Sequence, residues 1–207
     1  MLLSILYVIG ITAEAMTGAL SAGRQKMDWF GVMLVASATA IGGGTVRDIL
    51  LGNYPLTWVE NPQYLAITCL AGLFTTGIAH WVIKFKGLFV RLDAIGLIAF
   101  SIIGTKVAIN MGLHPSICMV SALVTGVFGG LLRDLMCRQT PLVLHKELYA
   151  SVAFLASGLY LLLLELSINE PTTTIVTLIF GYLLRMSAVK FSWRLPAFNL
   201  ETDGELH

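Results

Sequence analysis

Apolar residues run along this chain in long blocks, broken by short polar or turn-forming pieces, and that pattern predicts membrane helices. A helix needs about 20 residues to cross about 30 Å of hydrocarbon. Seven blocks qualify: 2–22, 29–51, 62–83, 92–111, 115–136, 147–166 and 172–189. The pieces GRQKMD, GNYPLTWVEN, KFKGLFVR, GLHP, CRQTPLVLHK and SINEP separate them. The first block lacks a basic leader and stays apolar past Glu14, so it reads as a retained membrane helix and not a cleaved signal. Residues 191–207 form a polar tail.

Composition sharpens this picture. Apolar residues make up 57% of the 207 and charged residues only 12%, where a soluble domain carries about 25% charged. Mean hydropathy is +0.82. The net charge of +1 excludes a nucleic-acid binder that works through phosphate contacts. Cys69, Cys118 and Cys137 sit in or beside apolar stretches without metal-ligand spacing and read as small core hydrophobes. His80, His114 and His145 are scattered near predicted helix ends. No phosphate-binding GxxxxGK[ST] loop and no nucleophile–base arrangement stands out, so neither an ATP-driven pump nor an enzyme is expected, and no cofactor.

Basic residues orient the spans. Arg24, Lys26, Lys84, Lys86, Arg91, Arg138, Lys146, Lys190 and Arg194 all fall in segments on one side, joined by Arg185 near the end of the last span, and the opposite loops carry none. The positive-inside rule then places the C-terminus in the cytoplasm and the N-terminus outside. Arg47, Lys106 and Arg133 remain within spans.

The chain also matches itself without a gap at an offset of 86 residues. Ile9-Gly10 aligns with Ile95-Gly96, Gly18 with Gly104, Thr39 with Thr125, Pro55-Leu56 with Pro141-Leu142, and Gly72-Leu73 with Gly158-Leu159. A shared GGxxRD block, Gly43-Gly44 to Arg47-Asp48 and Gly129-Gly130 to Arg133-Asp134, is the hardest part to obtain by chance. The predicted organisation is a three-helix repeat over 1–86, a second over 87–170, a seventh helix over 171–190 and the tail. Three spans per repeat is odd, so the second copy enters the membrane inverted, a plan common to transport proteins.

The chemistry-bearing residues cluster on these motifs. Gly42, Gly43 and Gly44 lie in the second span, and Gly126, Gly129 and Gly130 in the fifth. Such glycines let another backbone approach closely. They also allow a kink, whose freed carbonyls must face protein or water. Arg47-Asp48 and Arg133-Asp134 are expected near opposite mouths of a path, paired across helices more readily than within a motif, and either tie helices together or line the path. Lys106 is deep in the fourth span, where an ammonium costs about 3 kcal/mol or more. It is expected on carbonyls of the fifth span as a gating charge, or else snorkelling to the near surface. Glu14 is expected to be protonated or paired with Lys106 or Arg47, and Asp93 and Glu147 to cap helix starts.

The duplicated motifs, with the stretches ITAEAMTGAL, IGGGTVRDILLG, LDAIGLIAFSIIG, GVFGGLLRD and KELYA, resemble the bacterial UPF0126 family, the prokaryotic relatives of trimeric intracellular cation (TRIC) channels. The resemblance spans about residues 1–190. It implies a homotrimer in the inner membrane with one pore per subunit, lipid at the subunit interfaces, and conduction of potassium and possibly sodium. It also implies pore-lining second and fifth helices kinked at the six glycines, with Lys106 as the basic residue near the fifth-helix kink. The family domain is also classed as a glycine transporter, so a secondary transporter of glycine or another small amino acid is the alternative.

Overall fold

The computed structural model describes residues 2–84, 87–145 and 148–193, and all regular structure among them is helical. Seven long helices occupy the predicted blocks: α1 (Leu2–Arg24), α2 (Trp29–Leu51), α4 (Gln63–Lys84), α5 (Leu88–Asn110), α6 (Pro115–Met136), α8 (Tyr149–Glu165) and α9 (Glu170–Lys190). Two short helices were not foreseen, α3 (Thr57–Glu60) and α7 (Leu142–His145), each in a loop that follows an Arg-Asp motif. Five of the long helices, α1, α2, α5, α6 and α9, are long and apolar enough to cross a membrane, and α4 and α8 carry shorter apolar stretches. Glu147, Lys146 and the tail from 194 onward lie outside the described residues.

The 86-residue offset reappears in the backbone. Helices α1 and α5 begin and end at equivalent positions. The chain turns out of α1 at Lys26 (φ 55°) and out of α5 at Gly112 (φ 69°), both left-handed and 86 residues apart. After α2 and α6 the same happens at Gly52 (φ 68°) and Arg138 (φ 52°). Asn53 N–H then bonds Asp48 C=O at 2.8 Å, as Gln139 N–H bonds Asp134 C=O at 2.8 Å. Only glycine takes φ > 0 without steric cost, so Lys26 and Arg138 hold this geometry because their turns require it.

Packing follows the same plan. Helices α1, α2 and α4 pack on one another, as do α5, α6 and α8, and the halves meet through α2 against α6 and α1 against α5. Helix α9 lies outside the repeat against α5 and α8. On α1 most of the residues turned into the bundle are small. Gly10, Ala13, Ala15, Gly18, Ala19 and Ala22 of α1 are buried, whereas Ile5, Val8 and Ile9 face outward. A bilayer supplies little hydrophobic drive between helices, so small residues that permit close approach go inside and large apolar ones meet lipid. Cys118 and Cys137 are buried free thiols, in keeping with their reading as core residues.

Candidate functional site

The centre of the molecule is the crossing of α2 and α6. A Cβ at Gly43 would overlap the carbonyl oxygen of Thr125, and a Cβ at Gly129 would overlap that of Thr39. These two contacts are equivalents under the 86-residue offset, so the crossing is self-complementary. Flanking glycines repeat the relation. A Cβ at Gly18 would stand 2.8 Å from Ala36 Cα, and one at Gly104 would stand 2.7 Å from Ser121 O. Both helices remain helical through their glycines. Gly42 faces Leu132, Gly126 faces Ser101 and Leu97, and Gly44 and Gly130 leave room for the guanidinium groups of Arg47 and Arg133.

Those arginines turn back onto the aspartates beside them. Arg47 Nε and Nη2 donate to Asp48 Oδ1 at 2.9 and 2.7 Å. Arg133 Nε donates to Asp134 Oδ1 at 2.8 Å. The expectation of cross-helix pairing is corrected for Arg47, whose carboxylate partner is Asp48 of its own motif, whereas Arg133 pairs both within its motif and across helices. Successive helix positions diverge by about 100°, but arginine is long enough to fold across the gap. Each aspartate also closes the loop behind it. Asp48 accepts from Asn53 Nδ2 at 2.8 Å and Thr57 Oγ1 at 3.0 Å, and Asp134 accepts from Leu142 N at 2.9 Å. The motif thus ends a helix and anchors the short helix that follows.

Here the halves diverge. Arg133 has further partners: Nη1 donates to Asp93 Oδ1 at 2.9 Å and to Thr17 Oγ1 at 3.1 Å, and it stands 3.9 Å from Glu14 Oε2. Thr17 Oγ1 is 3.0 Å from Glu14 Oε2 and donates there, and Tyr149 O–H donates to Asp93 at 3.3 Å. The Phe89 ring covers the guanidinium at 4.9 Å. Glu14, Asp93, Arg133 and Asp134 are all buried. Glu14 therefore meets Arg133, not Lys106 or Arg47. Asp93 is not a cap: α5 starts at Leu88, four residues before the predicted boundary, which puts Asp93 on the second turn, inside the bundle. The positions equivalent to Asp93 and Glu14 are Tyr7 and Phe100, whose rings pack 6.1 Å apart. One end of the molecule is thus ionic where the other is aromatic.

Sequence reasoning passed over Asp93 as a ligand of Arg133, and over Thr17, Asn53, Thr57 and Tyr149. None belongs to the duplicated motif, so self-comparison carried no signal for them.

Lys106 departs from the expected bond to carbonyls of the fifth span and follows the alternative of a stem reaching toward the near surface. Its Nζ donates to Glu170 Oε2 at 2.6 Å, on the first turn of α9, and not to carbonyls of α6. The side chains are 23% and 39% exposed, because the end of α5 lies close enough to the bundle surface for the stem to reach α9. An exposed pair contributes about 0.2–1 kcal/mol. Lys106→Met and Glu170→Gln should lower thermal stability in detergent equally, and the double variant should add nothing. Additive losses would show that the two do not act as a pair.

Beside the Arg133 cluster opens a cavity of about 490 Å³, lined by residues that include Arg24, Phe89, Asp93, Asp134, Gln139 and Arg185. It gathers the ends of α1, α6 and α9 with the start of α5, segments that the basic-residue count assigned to one side of the membrane.

Buried ion pairs flanking a backbone-to-backbone helix crossing, within apolar helices arranged as two like halves, define an all-helical membrane protein with an internal repeat. The family model described as "Glycine transporter" matches twice, over residues 4–80 and 90–165, and the chain belongs to that family, whose members carry the name UPF0126. The UPF0126 inner membrane protein YadS of Escherichia coli K12 is 32% identical over 99% of this chain and 100% of its own length. A UPF0126 membrane protein of Vibrio cholerae is 35% identical over 95% of this chain and 84% of its own. Among solved structures, a TRIC trimeric intracellular cation channel orthologue from Rhodobacter sphaeroides superposes with TM-score 0.88 at 31% identity, over 92% of this chain and 98% of that one. A second TRIC cation channel, studied for its conductance, gives 0.87 at 32% identity, over 96% and 98%. The fold is that of the TRIC channels.

Proposed function

We propose that this protein is a subunit of a monovalent-cation channel, permeable to potassium and also to sodium. The observation that carries the reading is the superposition on TRIC cation channels over 98% of their length at 31–32% identity. The internal geometry agrees with it. The α2–α6 crossing joins two ends that each hold a buried Arg-Asp pair, and one of these opens into the cavity. In this reading all seven long helices span the membrane. The halves then form an inverted 3+3 repeat, and α9 brings the C-terminus to the cytoplasm of a bacterial cell, with the N-terminus outside the inner membrane.

In this reading α2 and α6 line the path, and because their backbones meet at the crossing they must bend at Gly42, Gly43, Gly44, Gly126, Gly129 and Gly130 for it to open. Arg47, Asp48, Arg133, Asp134, Glu14 and Lys106 set the field along its length. Each subunit carries its own path, three subunits assemble, and lipid fills their interfaces. No cofactor and no nucleic acid takes part. A continuous wet path needs sites weak enough for ions to leave, and the chain has no TVGYG filter, so strong selection of potassium over sodium is not expected.

Purified protein in planar bilayers under a potassium gradient should show discrete unitary currents that reverse near the potassium potential when chloride is the only counter-ion. The family description favours a second reading, a secondary transporter of glycine or another small amino acid. Saturable uptake of labelled glycine into proteoliposomes, without unitary current, would replace the channel with the transporter.

A further inference from the structure

Helix α9 has no equivalent in the repeat, yet its buried face is polar: Thr173, Thr174, Thr177, Gly181 and Arg185 point into the bundle. Arg185 is 2% exposed. Its guanidinium carbon lies 4.8 Å from the centroid of the Tyr149 ring, a cation–π contact. The hydroxyl of that ring bonds Asp93 Oδ1, which also receives Arg133. Arg185 lines the same cavity as Asp93, Asp134 and Arg24. A helix present once per chain therefore delivers a cation to one end of the molecule and none to the other.

From this placement we infer that Arg185 sets how tightly cations are held at the cavity, and so tunes entry and exit at that mouth. The inference rests on the channel reading. Asp93 and Asp134 share Arg133 as ion-pair partner, and Arg24 adds a second cation to the lining, so the two carboxylates are balanced before Arg185 is counted. Charge of one sign in a low-dielectric cleft concentrates counter-ions. Conduction needs binding strong enough to admit an ion and weak enough to release it. Arg185 tips that balance to the positive side, which weakens cation binding and keeps the mouth on the weak side. Because Arg185 lies at this end of α9 and the other end carries no cation, its effect is one-sided.

The test uses full-length wild type, Arg185→Gln and Arg185→Lys in planar bilayers, with potassium chloride varied from low salt to about 1 M, where the Debye length shrinks to about 3 Å. Arg185→Gln should lower the half-saturating potassium concentration by about threefold or more, the scale of one unit charge several ångströms away in a partly aqueous site. It should also make the current rectify, and the difference in conductance should shrink as potassium saturates the site near 1 M. Arg185→Lys should move both readings back toward wild type. A merely structural role for Arg185 would survive high salt and would not rectify.

A conducting Arg185→Gln with unshifted saturation overturns the inference and leaves the channel reading standing. If that variant does not assemble, Arg185→Met, which keeps a long stem and removes the charge, takes its place. Its half-saturating potassium concentration should fall as for Arg185→Gln, and an unshifted value overturns the inference. A wild type that carries no current under any condition sinks the channel reading and this inference with it.

Discussion

Gly43→Ala is expected to destabilise the folded protein by about 1–3 kcal/mol, the cost of overpacking a tight interface. The added methyl would fall on Thr125 O, with Thr125 C at 3.1 Å and Gly129 N at 3.2 Å. All three are backbone atoms of α6, so no side chain can rotate away and the helices must separate. Gly129→Ala should cost a similar amount, because it strikes Thr39 O from the other side of the same crossing. The double variant should cost less than the two singles added, since one separation relieves both overlaps. Gly44→Ala is the internal control: its new Cβ would meet only Arg47 Nη2 at 3.7 Å, ordinary contact. Thermal unfolding of the four variants in one detergent makes the comparison. Equal midpoints for Gly43→Ala and Gly44→Ala would show that close backbone approach does not hold the two halves together.

The second large effect belongs to Arg133. Its guanidinium is fully buried and answers Asp93, Asp134 and Glu14 together. Breaking a buried ion pair from one side costs about 3–5 kcal/mol, because the opposite charge stays behind without compensation. Arg133→Gln is expected to fall in that range and to reduce the yield of assembled protein. Arg47→Gln should cost less. Asp48 keeps Asn53, the Thr57 hydroxyl and the Thr57 amide as donors, whereas Asp93 keeps the Tyr149 hydroxyl at the longer distance of 3.3 Å. Adding Asp93→Asn to Arg133→Gln should recover part of the loss, since a neutral amide no longer demands a counter-charge. Size-exclusion profiles and unfolding midpoints report both comparisons. An Arg47→Gln variant as damaged as Arg133→Gln would contradict the difference drawn between the two ends.

Both predictions come from residues that the sequence singled out, but the reasons for them do not. The long helices were legible because apolar blocks of spanning length have few alternatives in a chain this poor in charge. The repeat was legible because Gly-Gly and Arg-Asp recur at one spacing, and the backbone turns and the family match follow that same spacing. Partner choice was not legible. These helices are apolar around most of their circumference, so the one-dimensional pattern does not record how each is rotated about its axis. That rotation decides that Glu14 faces Arg133, that Asp93 enters the bundle, and that Lys106 reaches the start of α9. The short helices α3 and α7 escaped for a related reason: their loops lack a helical period, and α3 and α7 follow loop segments that Asp48 and Asp134 tie down from a distance. Sequence alone determined the seven long helices, the spacing of the repeat, and where charge is embedded. Tertiary structure alone decided which charges meet, because a single rotation or a four-residue shift in a helix start moves a carboxylate from a cap into the core.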